Sequence, residues 1–175
     1  AKGAIDAGAD IVNDISGFTM DNNMPNIISN LNVPVILMHM KGTPTNMQND
    51  PQYNDLMGEI SSFFLNQINL AKSAGIKTEK IILDPGIGFG KTVNHNFTLI
   101  QKLNEFCELG YPVLIGPSRK AFIGITLDLP PKDRVEGTAA AVSAGILNGA
   151  RIVRVHDVKE MKRVVTITEK IRTAA

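Results

Sequence analysis

The sequence predicts an α/β fold in which short parallel strands alternate with helices, and three observations lead to that prediction. Five short runs rich in β-branched and apolar residues recur along the chain: ADIVNDIS, VPVILMHM, KIILDPG, YPVLIGPS and ARIVRVHD. Stretches with helical periodicity or small side chains separate these runs. The runs are also almost continuously hydrophobic, which is typical of strands covered on both faces by helices.

The helices between the strands are indicated by periodicity and by glycine. An apolar stripe with the spacing of one helix face is formed by Leu56, Ile60, Phe63, Phe64 and Ile68. Gly75 and Gly110 are placed to end two helices as left-handed C-caps, and a strand-like run comes after each of them. The segment GTAAAVSAGILNGA predicts a later helix whose small residues allow close approach of another backbone, in the sheet or in a second subunit.

The arrangement of the strands is predicted from the segments at their carboxyl ends. A polar or glycine-containing segment comes after every run, at 13–14, 39–50, 84–91, 116–120 and 154–157. An open flavodoxin-like sheet fits the length, but it concentrates ligand contacts near one switch point. Polar residues after all five runs favour instead the last five units of a TIM (β/α)8 barrel, whose ligands bind at the carboxyl ends of the strands. We therefore predict a partial barrel that forms a single domain over residues 1–175.

Composition excludes several classes of function. The chain has 18 Lys and Arg against 17 Asp and Glu, so neither nucleic acid nor an anionic membrane is an expected partner. No apolar run approaches the roughly 18 residues needed to cross a bilayer. A single cysteine, Cys107, cannot form an internal disulfide and fits the cytoplasm. The first residue is not Met and lies in a helical pattern, which predicts that further sequence precedes Ala1.

The segment DPGIGFGKT, residues 84–92, carries the first candidate site. It is not a phosphate loop of the Walker type, because Pro85 stands where that pattern needs glycine. A carboxylate at Asp84 can accept two parallel hydrogen bonds from the edge of a 2-amino-4-oxo heterocycle. The three glycines, Gly88 among them, let the backbone approach a flat ligand. The alternatives are a helix-capping aspartate and a purely structural turn.

Two further strand ends carry cations. In GPSRKAFIG, Lys120 is suited to a carbonyl and a ring nitrogen, and Arg119 to a carboxylate or phosphate, although a solvated basic pair is the alternative. In RVHD, Arg154 and His156 lie two residues apart on the same side of an extended strand, which suits a phosphate. His39 and His95 lack comparable neighbours in the sequence, and no zinc-ligand spacing is present.

Two more strand ends and one loop complete the candidates. Asn13 closes ADIVN and offers both a donor and an acceptor to a mixed heterocycle edge. Met38 closes PVILM and is either a packed thioether or a pocket wall. The polar loop KGTPTNMQNDPQ is a candidate lid, with plain disorder as the alternative.

Six motifs in order give the chain a family resemblance: NDISG, MHMKGTPTNMQ, DPGIGFGK, GPSRKAFIG, GTAAAVSAGILNGA and RVHDV. Together they resemble the dihydropteroate synthase family. The resemblance implies a pterin-binding TIM barrel of folate biosynthesis, in the cytoplasm. It also implies a transferase that condenses 6-hydroxymethyl-7,8-dihydropterin diphosphate with 4-aminobenzoate, releasing diphosphate, and that sulfonamides inhibit.

The resemblance also implies roles for individual residues. Those matching the family's pterin contacts are Asn13, Met38, Asp84, Gly88 and Lys120. Those expected to bind diphosphate are Arg154 and His156, and those framing the aminobenzoate are Phe89, Ser118, Arg119 and Lys120. The residues expected to act in catalysis are Asp84, Lys120, Arg154 and His156. Mg²⁺ is expected to accompany the diphosphate, with its protein ligand outside this chain.

Against the family pattern, the first three βα units are absent. We therefore expect the chain by itself to be inactive. A pterin-dependent methyltransferase of the same barrel family is an alternative that needs no diphosphate site. A non-catalytic pterin-binding or dimer-forming fragment is the second alternative. A homodimer through the helix region 132–149 is expected from the resemblance and from the small side chains there.

Overall fold

The described residues form five parallel strands that lie side by side in the order of the chain. The computed structural model describes residues 1–47 and 49–174. The strands are β1 (Val12–Asp14), β2 (Val35–Met38), β3 (Ile81–Asp84), β4 (Leu114–Ile115) and β5 (Ile152–Val153). β2 pairs with β1 and β3, β4 pairs with β5, and a parallel bridge from Leu83 to Val113 joins β3 to β4.

This strand order decides between the two predicted architectures. An open doubly wound sheet reverses its strand order at a switch point, whereas the strands of a barrel wall follow one another in sequence. The order β1 to β5 has no reversal among the described strands, so the open sheet is excluded and the partial barrel is confirmed.

Helices cover the outside of this curved sheet. They are α1 (Lys2–Asp6), α2 (Met24–Leu31), α3 (Leu56–Ser73), α4 (Val93–Gln101), α5 (Asn104–Cys107), α6 (Ala121–Leu127), α7 (Val135–Leu147) and α8 (Val158–Thr173). Short 3₁₀ turns lie at Thr78–Lys80 and Pro131–Asp133. The predicted stripe of α3 is in the core, with Ile60, Phe64 and Ile68 buried. Gly75 and Gly110 both have positive φ, of 90° and 84°, as predicted for residues that end helices. No helix within the described ranges is both long and apolar enough to span a bilayer.

The two faces of the sheet bury different residues. The outer face packs against the helices in the main core through Val35, Leu37, Ile81, Leu83, Val113 and Ile115. The inner face forms a smaller cluster of Ile36, Ile82, Leu114 and Ile152. Because side chains alternate along a strand, Met38 and Asp84, two residues beyond Ile36 and Ile82, lie on the inner face at the carboxyl ends.

The glycines of α7 accept side chains rather than another backbone. A Cβ at Gly145 would overlap Ile115 of β4, and a Cβ at Gly137 would overlap Ile123 of α6. Within the described residues, isoleucine side chains rather than another backbone fill the space above these two glycines. Packing of this helix against a second subunit stays a prediction.

Candidate active site

Asp84 ends β3 as a buried carboxylate with an exposed fraction of only 6%. Its Oδ1 accepts a hydrogen bond from the backbone N–H of Gly86 at 2.8 Å. Burial raises the pKa of Asp84 to about 6, against the opposing effects of the Gly86 hydrogen bond and of Lys91, Lys120 and Arg154. Within the described ranges Oδ2 accepts no hydrogen bond, which leaves this oxygen for a ligand.

Lys120 reaches toward Asp84 from the start of α6. Its Nζ lies 4.1 Å from the centroid of the Phe89 ring, a cation–π distance. Burial lowers the pKa of Lys120, the nearby carboxylate of Asp84 raises it, and Arg154 lowers it again. Gly88 has φ of 81°, and a Cβ there would come within 3.0 Å of Lys120 Cδ. Glycine at this position therefore makes room for the aliphatic part of Lys120.

Lys91 and His39 form a buried pair beside Asp84 that was not predicted from the sequence. The Nζ of Lys91 donates to the carbonyl of Phe89 at 2.9 Å and lies 3.1 Å from Nδ1 of His39. Burial is the main cause that lowers the pKa of Lys91 to about 7 and that of His39 to about 3. His39 is therefore neutral near pH 7 and can accept from Lys91. His39 therefore has a basic neighbour in the structure although it has none in the sequence. The lysine directly after the glycine loop indicates a buried cation, but not its partner.

The other histidine without neighbours in the sequence has a structural role. Nδ1 of His95 accepts from the backbone N–H of Thr92, whose Oγ1 accepts from the N–H of His95. The two residues form a reciprocal cap at the start of α4.

Asn13 and Met38 both lie on the inner face. Met38 is opposite Asp84 in the register and is buried, and Asn13 is opposite Ile36 and exposed. The strand ends one residue later than expected, at Asp14, whose carboxylate accepts from the backbone N–H groups of Ser16 and Phe18. Asp14 thereby fixes the turn after β1.

A second part of the site lies between the loops that come after β4 and β5. These loops enclose a cavity of about 530 Å³ lined by Gly116, Ser118, Arg119, Lys120, Pro131, Arg154, Val155 and His156. Arg154 and His156 are both exposed. The cavity therefore has cationic and imidazole groups on its wall and remains open to water.

Two contacts join these two loops. Ser118 Oγ lies 3.0 Å from Nδ1 of His156 and accepts from the backbone N–H of the same residue at 3.2 Å. Arg119 makes a bidentate ion pair with Asp157, with Nε donating to Oδ2 at 3.1 Å. The guanidinium of Arg119 is thus directed to Asp157, and the hydroxyl of Ser118 to His156.

Arg134 holds the loop that carries Lys120. Its guanidinium donates to the carbonyls of Leu129 and Arg119, each at 2.9 Å. It packs so closely over α6 that a Cβ at Gly124 would overlap it. This role has no signal in the sequence, because the residues that Arg134 joins are not distinguished by any local pattern.

Tyr53, the residue directly after the candidate lid, anchors the lid to the site. Lys41 pairs with Glu59 at 2.9 Å and lies 4.1 Å from the centre of the Tyr53 ring, whose hydroxyl donates to the carbonyl of Gly90 at 2.9 Å. Gln48, in the middle of the loop, lies outside the described residues. Opening and closing of this loop stays a prediction.

The described part of the chain contains no group of three or more His, Cys, Asp or Glu side chains placed to hold a metal ion.

Comparison with known proteins identifies the family. The family model described as "Pterin binding enzyme" matches residues 1–156. The chain belongs to this family. Over 172 residues it is 49% identical to the dihydropteroate synthase of Synechocystis, covering 98% of this chain and 60% of that protein. It is 47% identical to the enzyme of Bacillus subtilis, covering 93% of this chain and 55% of that protein. The sequence resemblance is confirmed, and the chain spans only about 60% of the length of such relatives.

Solved structures agree with the sequence comparison. A Yersinia pestis dihydropteroate synthase in a sulfonamide drug complex superposes with a TM-score of 0.95 at 41% identity, covering 98% of this chain and 62% of that one. The Xanthomonas albilineans enzyme with 4-aminobenzoic acid superposes with a TM-score of 0.91 at 36% identity, covering 99% and 62%. The five-strand arc is therefore a part of this family's barrel.

Proposed function

We propose that this chain supplies the pterin and diphosphate sites of a dihydropteroate synthase, as the C-terminal part of its barrel and as a single domain over residues 1–175. The observation that carries the proposal is Asp84, a buried carboxylate at the end of β3 with Lys91, Lys120 and Arg154 within electrostatic reach. A buried acid needs a compensating partner. The N–H and amino groups of a pterin offer two parallel donors, which suit a carboxylate.

The pterin would lie flat across the carboxyl ends of β1, β2 and β3. Asn13 and Met38 reach this surface from neighbouring strands, and Gly88 leaves space beside Lys120. Lys120, within electrostatic reach of Asp84, would donate to the pterin carbonyl and ring nitrogen. These groups would bind the polar edges of the heterocycle.

Arg154 and His156 would bind the diphosphate. In the reaction the bond between the methylene carbon and the diphosphate oxygen breaks, and the electron pair leaves with the diphosphate. The amine nitrogen of 4-aminobenzoate forms the new bond to carbon and then loses a proton. A guanidinium and an imidazole placed at the leaving oxygens stabilise the charge that develops there, and the remaining contribution is positioning. Mg²⁺ would be bound together with the diphosphate.

Phe89 and Lys120 would frame the aminobenzoate, because the ring of Phe89 and the cation above it form one wall of the site. Ser118 and Arg119 stay predicted contacts of this subsite. The side chain of Ser118 faces His156 and that of Arg119 faces Asp157. A contact of either residue with the aminobenzoate would therefore be made by its backbone, or by its side chain after a change of rotamer. Sulfonamides, which resemble the aminobenzoate, would compete at the same wall.

A homodimer through the helix region 132–149 is part of the proposal. An apolar groove of about 710 Å³ between α4, α6 and α7 includes Phe97, Leu127 and Ala140. Leu147, Ile167 and Ile171, on α7 and α8, are exposed beside it. Apolar surface of this extent fits a protein interface. We also propose a cytoplasmic location, which suits a single cysteine.

The test is a fluorescence titration of 6-hydroxymethyl-7,8-dihydropterin diphosphate, with and without Mg²⁺. It uses this chain and a chimera that joins it to the part of the Synechocystis relative that it does not match. Asp84→Asn keeps the shape of the side chain but removes the charge, and we expect a loss of about 100-fold in affinity. The exposed Asp10→Asn is the matched control. Equal affinity in Asp84→Asn and the parent protein would contradict the proposal.

The chimera separates the alternatives. Formation of dihydropteroate and diphosphate supports the synthase. Pterin binding with no reaction in the chimera supports a non-catalytic fragment. Binding of a pterin that is indifferent to its diphosphate group would favour the methyltransferase, whose site has no use for Arg154 and His156.

A further inference from the structure

Ser118 is placed where its hydroxyl meets both the backbone and the ring of His156. The side chain is buried, with an exposed fraction of 4%. Its Oγ is 3.2 Å from the backbone nitrogen of His156 and 3.0 Å from Nδ1 of the ring. A backbone N–H can only donate, so at this contact the oxygen of Ser118 is the acceptor.

This geometry favours one position for the single hydroxyl proton. Since the oxygen already accepts from the backbone, its own O–H is available for the other close partner, Nδ1. When the ring is neutral, Nδ1 accepts this proton and the ring hydrogen is then on Nε2. When the ring is protonated, the hydroxyl can rotate and accept from Nδ1–H instead. In both states Nε2 carries a hydrogen.

The Nε2 edge is the one that can meet an anion. Nδ1 is turned to Ser118, and Nε2 lies at the far edge of the ring, on an exposed residue that lines the cavity with Arg154. A ring with its hydrogen on Nδ1 would present a lone pair there and repel a phosphate oxygen. A ring with its hydrogen on Nε2 donates to that oxygen.

Neighbouring contacts hold the loops that carry Ser118 and His156 against each other. Arg119 and Asp157, the next residue on each loop, form the bidentate ion pair. The backbone N–H of Arg119 donates to Oγ1 of Thr138 at 3.1 Å, which ties the same loop to α7. The two loops are therefore held together without the serine, and the hydroxyl itself is left to act on the ring.

We propose that Ser118 is a positioning residue that fixes His156 with its hydrogen on Nε2, so that the imidazole always presents a donor to the anion. The identity of the anion as diphosphate rests on the proposed function. The tautomer does not depend on it.

Nitrogen-15 NMR of the histidine side chains tests the proposal on the chain itself. The three histidines are assigned with His156→Gln and His95→Gln. We expect His156 of the parent chain to show protonated Nε2 and unprotonated Nδ1 when neutral. Ser118→Ala should give a mixture of both tautomers, and Ser118→Thr, which keeps the hydroxyl, should restore the single form. Ser143→Ala is the matched control, since it removes a hydroxyl paired with Thr168 on the α7 and α8 side of the molecule.

Calorimetric titration with inorganic diphosphate measures the consequence. We expect Ser118→Ala to weaken binding by about three- to tenfold, the worth of one oriented hydrogen bond, and Ser143→Ala to leave it unchanged. An unaltered His156 spectrum in a folded Ser118→Ala chain overturns the proposal, whatever the threonine variant does. If the parent chain binds no diphosphate, the proposed function fails for this chain, and the spectrum still decides the role of Ser118.

Discussion

The charged side chains on the β3 side of the candidate site are buried, whereas the polar side chains on the β5 side are exposed to water. Asp84 and Lys91, beside β3, have exposed fractions of 6% and 3%, and their pKa values move toward neutrality because of burial. Arg154 and His156, beyond β5, are exposed. β3 has strand neighbours on both sides and runs for four residues, whereas β5 runs for two. The difference suits a flat heterocycle in a preformed, dry pocket and a strongly charged anion at a wet edge.

The tight packing of the β3 side gives the largest expected effect. Gly86 has φ of 70°, and a Cβ there would overlap the backbone carbonyl of His39. Gly86→Ala should lower the free energy of unfolding by about 4 kcal/mol or more, because strain and a backbone clash add together. Gly110→Ala, at φ of 84° with nothing within 4 Å of a Cβ, is the matched control and should cost only about 1 kcal/mol. Chemical denaturation measures both, and equal losses would show that the packing is loose.

The buried carboxylate should be a net cost to stability once it ionises. The folded pKa of Asp84 is about 6, against 3.8 for an unperturbed aspartate. Between these values the folded chain binds the additional proton, so the free energy of unfolding falls as pH rises and the loss is complete above about pH 6. Asp84→Asn cannot ionise, and it should be more stable than the parent by about 1–3 kcal/mol at about pH 8. The two should be nearly equal at about pH 4. A stability difference that does not change with pH would show that Asp84 is not desolvated.

The exposed side should lose anion affinity and respond to salt. Arg154→Met should weaken binding of inorganic diphosphate by about tenfold, the worth of one charge-assisted hydrogen bond. Raising KCl from about 0.05 to 0.5 M should weaken diphosphate binding by the parent chain. It should affect binding of an uncharged pterin much less, because that ligand meets buried groups. Calorimetry with each ligand separates the two, and equal salt dependence would remove the contrast between the sides.

Lys91 should set the pH at which the pterin is lost. Its charge lowers the pKa of Asp84, so Lys91→Met should raise that pKa further. Because pterin binding needs the ionised carboxylate, the midpoint of its loss on acidification should move to higher pH. Lys77→Met, at an exposed lysine, is the control. A midpoint that stays in place in a folded Lys91→Met chain would show that the buried ammonium does not act on Asp84.

The sequence predicted where the site would form better than how its groups are paired. Strand ends can be located from local hydrophobic runs, and in parallel strands those ends meet at one edge. This is why Asp84, Lys120 and Arg154, at the ends of three separate runs, lie within electrostatic reach of one another in the structure. The contact of Lys91 with His39 joins residues 52 positions apart, and no local pattern indicates which buried lysine will find a histidine. The directions of Ser118 and Arg119 depend on rotamers chosen by the facing loop, so they too needed the structure.

The strict order of the strands also has a consequence for amide hydrogen exchange. β2 is paired on both sides from Val35 to Leu37, and β5 has two residues and one strand neighbour among the described strands. Opening of β5 need not disturb β2, whereas exposing β2 requires the separation of β1 or β3. We expect the slowest exchange at Ile36 and Leu37 and progressively faster exchange toward β5. The local stability of the five-strand sheet would then be highest beside the proposed pterin pocket and lowest where the anion is proposed to bind.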